Sequence, residues 1–475
     1  MPTPTPPRLL KYCSTLLPVL LAVMGLLLVV RWVGSGPTVL IIARVPGLDG
    51  VPAETAAPAA VRPVPGEPIP GPGRPSTITT AWPWFRGPDH DAISKETIQL
   101  ARSWPAAGPK RLWTVPLGDG YAAAAVHGGC VYVLDYDIDR SADTLRCLSL
   151  DDGREIWRNS YGVIVAHNHG MSRTIPAVVG DCVITLGPKC QLACWDAATG
   201  KARWLIDLVL EHGATVPPWY AGQCPFIDTK TDRLIVAPGG KALVMAIDYH
   251  TGKIVWQSPN PRNWAMTHVS IVPMEFAGRQ MYVYCGKGGV AGIAADNGEL
   301  LWETDEWQIA MATCPSPVVV GEGRIFFSGG YNSGSLMLQL KQEQGRIVPE
   351  TAFRLTAKQF GSEQQTPVLW QQHLYAVRQK DQQLVCMDLD GKELWNSGRD
   401  KFGSGPYMIA DGLIYVMDDD GVLSIAEAVP TAYRRLARAQ VIEDGSSSWG
   451  PMALVAGRLI VRDNSHMACI NVAEH

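Results

Sequence analysis

Several signatures that would assign chemistry are missing from these 475 residues. No Gly-x-Ser-x-Gly, His-Glu-x-x-His, phosphate-binding Gly-x4-Gly-Lys-Ser/Thr or EF-hand loop occurs, so there is no nucleophile elbow, zinc-protease helix, nucleotide cradle or calcium loop. Cys-x-x-Cys-His is absent too, which removes c-type haem attachment. Charge of one sign is not in excess: 41 Lys and Arg against 45 Asp and Glu leave a formal net charge of −4. Without a basic field, no nucleic-acid partner is expected. Of the eleven cysteines, no two are adjacent.

What is present is repetition. An apolar strand opening near a proline, a Gly turn, a second strand, and a third ending in Asp before Gly and Trp recur along the chain. The pattern is clearest in Pro176–Thr185 followed by Leu192–Trp204. Trp113, Trp157, Trp204, Trp256 and Trp302 lie 44, 47, 52 and 46 residues apart, and Trp395 follows after 93. One tryptophan is therefore lost, in a unit still visible as Pro317–Phe327 and Leu336–Leu340, with its last strand displaced to Arg346–Val348. Units at Pro406 and Pro451 bring the count to eight. A unit of this length cannot bury its faces alone and must stack on its neighbours, which predicts an all-β, eight-bladed β-propeller over residues 81–475.

The ends predict how the ring closes. Arg111–Pro116 reads as a fourth, outermost strand, whereas the last unit stops after a third strand at Met467–Val472. Pairing the region of Trp113 with that of Ile470 leaves no open edge.

Two segments precede the propeller. After a tail, residues 1–15, the run Leu16–Val33 is apolar apart from Arg31. At about 1.5 Å per residue it reaches roughly 27 Å, which predicts a single-pass transmembrane anchor, with a cleaved signal peptide as the rival reading. Residues 34–80 are rich in Pro and Gly and read as a semi-extended tether. The propeller is then expected on the periplasmic or extracytoplasmic side.

Cys194, Cys386 and Cys469 share one repeat position, and Cys130 and Cys182 another. Equivalent positions in different blades are too far apart for the roughly 5.5 Å a disulfide needs, so these are expected as buried packing residues. Bridges within one blade, Cys182 to Cys194 or Cys130 to Cys147, remain open. Asp418–Gly421 reads as a hairpin turn before it reads as a cation loop.

Val244–Trp256, with its Asp-Tyr-His-Thr-Gly-Lys-Ile-Val-Trp, resembles the PQQ-like repeat of quinoprotein-type propellers. Trp82-Pro-Trp-Phe-Arg-Gly-Pro resembles the opening of bacterial PQQ-binding-like propeller proteins. The resemblance implies the propeller fold and two functions. One is a non-enzymatic scaffold of the BamB type, binding a protein partner or small ligand; such proteins are anchored by an acylated Cys after a lipobox, whereas Cys13 precedes the apolar run. The other is a PQQ-dependent dehydrogenase acting on an alcohol or sugar, in which Trp449 or Trp264 would stack on the quinone while Glu363 and Asn168 supported a Ca²⁺. Such alcohol dehydrogenases typically carry a vicinal Cys-Cys pair that this chain lacks, which favours the scaffold.

Candidate binding residues follow from the fold. Residues just before each strand-opening proline converge on one mouth of a propeller. Those positions and their loops give His169, Arg173, Trp219, Tyr220, Gln223, Trp264, His268, Glu363, Gln365 and Trp449 as the expected ligand or partner surface. No catalytic residue is assigned. His167 and His169 form an i, i+2 pair without identifiable further ligands, so no metal is assigned either.

Overall fold

The structure, a computed structural model, describes residues 8–35 and 62–474. It falls into two units, Met1–Val45 and Pro46–His475. The first holds one helix, α1 (Arg8–Ser35), which covers the apolar run. Its described side chains, Pro18 to Arg31, are exposed and cover less than the roughly 20 residues of a span. Among the described residues no helix is long and apolar enough to cross a membrane.

The second unit is the expected ring. Eight antiparallel four-stranded sheets follow in chain order: blade 1 (125–162), blade 2 (177–207), blade 3 (226–257), blade 4 (272–304), blade 5 (318–355), blade 6 (368–396), blade 7 (407–440) and blade 8 (453–471). First strands of neighbouring blades touch, so they line the central channel. Blade 8 takes its fourth strand, Arg111–Pro116, from the N-terminal side, with Arg111 opposite Ile470 and Trp113 opposite Cys469.

The repeat residues explain why blades stack. In blade 2, Asp196 accepts from the Thr199 backbone N–H at 2.9 Å and from its hydroxyl at 2.8 Å, closing a tight turn. The next residue, Gly200, has φ +73° and lies under the Trp157 ring of blade 1, where a Cβ would come within 2.5 Å. Trp157 also donates to the Ala197 carbonyl. Trp113 on Gly153, Trp204 on Gly252 and Trp256 on Gly298 repeat the contact. These four tryptophans therefore dock onto the following blade's turn rather than merely capping their own, whereas Trp302 stays within blade 4, its indole N–H on Met281 Sδ. In blade 5, Phe353 takes this place against Gly391, which accounts for the lost tryptophan.

In blades 1, 2, 3, 4 and 6 a small residue near the end of the third strand sits directly across from the fourth-strand tryptophan. Cys147 faces Trp157, Cys194 faces Trp204, Ala246 faces Trp256, Gly292 faces Trp302 and Cys386 faces Trp395, each with a register shift just beyond. Cysteine serves there as a small apolar filler. The ten cysteines of the propeller are free, so neither intra-blade bridge is formed.

Residues 36–61 of the expected tether lie outside the described residues. The part from Arg62 onward differs from a free tether: Ile69–Pro70 adds a fifth strand outside blade 1, and the amides of Gly66, Gly71 and Gly73 donate to Ser160, Ile156 and Glu155 carbonyls.

Trp82–Asp91 crosses the central channel. Trp82 exchanges both backbone hydrogen bonds with Val126 of blade 1, and the Pro83 carbonyl accepts from Val178 of blade 2. The Arg86 side chain donates to Thr366 O at 2.8 Å and Pro367 O at 3.1 Å beside blade 6. Ile93–Ser94 then runs parallel to the inner strand of blade 7. The motif and the short strand after it form a plug tied to four blades.

Candidate functional site

The inner strands start at one radius, so the residues preceding them gather at one mouth of the ring. There they enclose a cup of about 380 Å³. Its wall holds Tyr121, Arg173, His268, Cys314, Gln365 and Trp449, each from the entry to a different inner strand, with His169, Trp219, Tyr331 and Glu363 from adjoining loops. Phe85 of the plug lines both this cup and a second recess on the other side, so it forms the floor between them.

Seven of the ten expected residues line the cup: His169, Arg173, Trp219, His268, Glu363, Gln365 and Trp449. Three are placed elsewhere. Gln223 is fully buried and clasps one residue of blade 3, its amide donating to Ala237 O at 3.3 Å and its carbonyl accepting from Ala237 N at 2.8 Å. Tyr220 is buried, its hydroxyl donating to Ala166 O and accepting from Ala166 N. Trp264 packs against Gly286, Gly288 and Gly289, with Arg262 over its ring at 5.7 Å. Tyr220 turns inward from a tight turn at φ +71°, and Gln223 points away from the cup because adjacent residues of an extended segment face opposite sides. Gly222 and Cys224 line the cup and Gln223 between them does not.

Phe85, Tyr121 and Tyr331 were missed. Tyr121 precedes an inner strand that no proline opens, and Tyr331, with φ +54°, belongs to a turn between the second and third strands of blade 5. The double glycine before Tyr331 was the available signal.

The cup has one fixed cation. The Arg173 guanidinium lies 5.5 Å from the centre of the Tyr121 ring and donates to the carbonyls of Asn168, His169 and Gly170. Asp119, the acid on that side, is taken by His167. Burial lowers Arg173 to about 10, which leaves it charged at neutral pH. Burial, helped by Arg173, lowers His268 to about 4, so its imidazole is neutral, and its Nε2 is buried without a partner. Glu363 is raised by burial and by Asp419, while Gln379 opposes the shift. Burial lifts the Cys314 thiol to about 12, which keeps it protonated and unreactive. Trp449 stacks on Tyr121 with ring centres 5.0 Å apart and donates its indole N–H to Asp419 at 2.7 Å.

A quinone with calcium does not fit this lining. Ca²⁺ takes about 6–8 oxygens, commonly several carboxylates, whereas the cup lining offers one, Glu363. Asn168 does not line the cup, Trp264 is packed away from it, and one Trp449 face is held by Tyr121.

An eight-bladed ring with PQQ-like repeat turns and a mouth-side cup defines a PQQ-like propeller. Over residues 141–395 the sequence matches the family described as outer membrane protein assembly factor BamB, and the chain belongs to that family. No curated protein matches it in sequence. Among solved structures, BamB from Moraxella catarrhalis is similar in fold at 16% identity and a TM-score of 0.52, over 76% of this chain and 99% of that one. The quinohemoprotein alcohol dehydrogenase of Comamonas testosteroni is found at 14% identity and a TM-score of 0.44, over 83% and 81%. A europium-containing methanol dehydrogenase is found at 13% and 0.44, over 80% and 89%.

Proposed function

We propose that this propeller is a non-enzymatic binding scaffold that takes a segment of a protein partner into the cup. The supporting observation is the cup's construction: a blind recess whose floor is the chain's own plug, with aromatic walls and one guanidinium that no acid neutralises. Such a recess favours an apolar or aromatic side chain beside a carboxylate, since Arg173, although it donates to three carbonyls, is desolvated without a salt-bridge partner. The family's name, an outer membrane protein assembly factor, is in keeping with a role in holding another protein. The anchor belongs to the same proposal: α1 covers the apolar run Leu16–Val33, and its described leucines and valines are exposed, so they call for an apolar surrounding such as a bilayer. The propeller would then stand on the extracytoplasmic side.

The test places a photo-crosslinking residue at Trp219 in the full-length chain in cells, with a second chain labelled at Ile254 on the outer edge of blade 3. A discrete protein adduct from the cup position alone, lost on Arg173→Met, is expected. Titration with PQQ and Ca²⁺ supplies the opposing arm: stoichiometric binding with reduction by an alcohol or sugar would replace the scaffold by a dehydrogenase.

A further inference from the structure

Blades 2 and 3 bring together a donor set unconnected with the cup. Asp181 and Cys182 lie at the turn between the first two strands of blade 2, and His250 sits in the Asp-x-x-Thr-Gly turn of blade 3. The docking of Trp204 aligns them, because its indole N–H donates to the Tyr249 carbonyl at 2.8 Å and its ring covers Gly252, holding the turn that carries His250 against blade 2. As a result His250 Nδ1 is 3.8 Å from Cys182 Sγ, Cys182 Sγ is 3.5 Å from Asp181 Oδ1, and the three ligand atoms lie within 4.8 Å of one another. A tetrahedral ion with bonds of about 2.0–2.3 Å has ligand-to-ligand edges of about 3.3–3.8 Å, so little movement would be needed to close around one.

A cation is already seated at the set. Arg203 donates to Cys182 Sγ at 3.0 Å and to both Asp181 oxygens at 3.1 and 2.6 Å. It also reaches Asp196, which is not among the three ligand groups, at 2.7 Å. The guanidinium therefore has a second carboxylate to keep if it releases the first.

We propose that Asp181, Cys182 and His250 form a site for a thiophilic divalent cation of the zinc class, opened when Arg203 leaves Asp181 and Cys182 and stays on Asp196. On binding, the Cys182 thiol gives its proton to solvent, and thiolate and carboxylate together neutralise the dication while the imidazole adds a neutral donor. Asp181 and His250 are exposed, so the ion has a path in and a fourth, solvent-facing position. Sulfur and imidazole favour zinc or cobalt over calcium or magnesium, which prefer oxygen. The ion would join blade 2 to blade 3 beside the Trp204 contact.

The test is titration of the full-length chain in detergent with Co²⁺ under reducing, chelator-free conditions. A thiolate-to-cobalt charge-transfer band saturating at one equivalent and bleached by Zn²⁺ is expected. Cys182→Ala should abolish it. Because that residue is buried, two exposed-side variants carry the test independently of folding: His250→Asn should weaken binding at least tenfold, and Arg203→Gln should tighten it at least tenfold by removing the competing cation. No band, a band that survives Cys182→Ala, or an affinity unmoved by His250→Asn would overturn the site, and weaker binding in Arg203→Gln would overturn the displacement.

Discussion

His268 is kept neutral in the wall of the cup, its folded value near 4 against an ordinary 6.5, because burial and the Arg173 charge both disfavour the imidazolium. Between those values the unfolded chain binds a proton that the folded chain refuses. Stability from this residue is therefore complete above about pH 6.5 and is lost as pH falls toward 4. At about 1.4 kcal/mol per pH unit, discounted for partial exposure, the loss is about 1–2 kcal/mol. Urea unfolding at pH 7 and pH 4.5 should show a fall in the wild type that is smaller by that amount in His268→Gln. Asp143, buried and raised to about 7, contributes in the opposite sense, losing stability as pH rises from about 4 to 7, so the comparison must be made between variants rather than on one curve. Gln223→Leu leaves both Ala237 backbone groups unpaired in the core and should cost about 2–3 kcal/mol at neutral pH in the same assay. His268 and Gln223 also show what the sequence could deliver at this scale. The strand-opening prolines located both residues at the mouth, but only side-chain direction separates a wall residue from a clasp. That direction alternates residue by residue and is set by the exact start of the strand.

The plug is the element that turns an open channel into a cup. Arg86 has φ +65°, and Gly87, at φ +79°, lies against Trp82, where a Cβ would come within 2.8 Å of the indole. The Arg86 guanidinium donates to four carbonyls, those of His90, Asp91, Thr366 and Pro367. Trp84 stacks on His90 and donates to the Pro88 carbonyl. Arg86→Met would strand those carbonyls, costing about 3 kcal/mol or more. Hydrogen exchange should speed up at Ala92 and Ile409, whose amides donate to the Arg86 and Ala92 carbonyls, before the blades themselves exchange faster. Uniform acceleration across all blades would instead mean that the plug unfolds only with the ring. Trp82–Asp91 was legible as a family motif, but its course across the channel was not, since nothing local in it encodes partners nearly 300 residues away. Residues 62–80 were misread for a different reason. Gly71 lies against the Glu155 backbone so closely that any Cβ would collide, and Pro65 and Pro70 lie on an outer edge strand, where a missing N–H does no harm. The same Pro and Gly composition that describes a tether also describes a strand fitted tightly to a blade's rim.

At the scale of the whole molecule, the ring is held shut by pairing between its two ends, and the strap before it adds a second layer. Arg111–Pro116 pairs along His466–Ile470, while Ala101 N–H donates to Val472 O, Asn471 N–H to Lys110 O and Glu474 N–H to Gln99 O. The repeat made this closure readable, because a unit lacking its fourth strand and a lone fourth strand at the other end have one economical solution. Three deletions separate the layers. Removing residues 1–61 leaves every described contact of the propeller in place, so a soluble monomer with cooperative unfolding is expected. Removing residues 1–104 takes away the plug and the Gln99 and Ala101 contacts but keeps the closing strand; the product should remain monomeric, with a thermal midpoint lower by several degrees. Removing residues 1–116 exposes the apolar edge Met467–Ile470, an open strand of the kind that pairs with other chains. Size-exclusion chromatography with light scattering should then show concentration-dependent association. A monomeric 117–475 fragment with a cooperative transition would mean that blade stacking through the docked tryptophans suffices without strand closure.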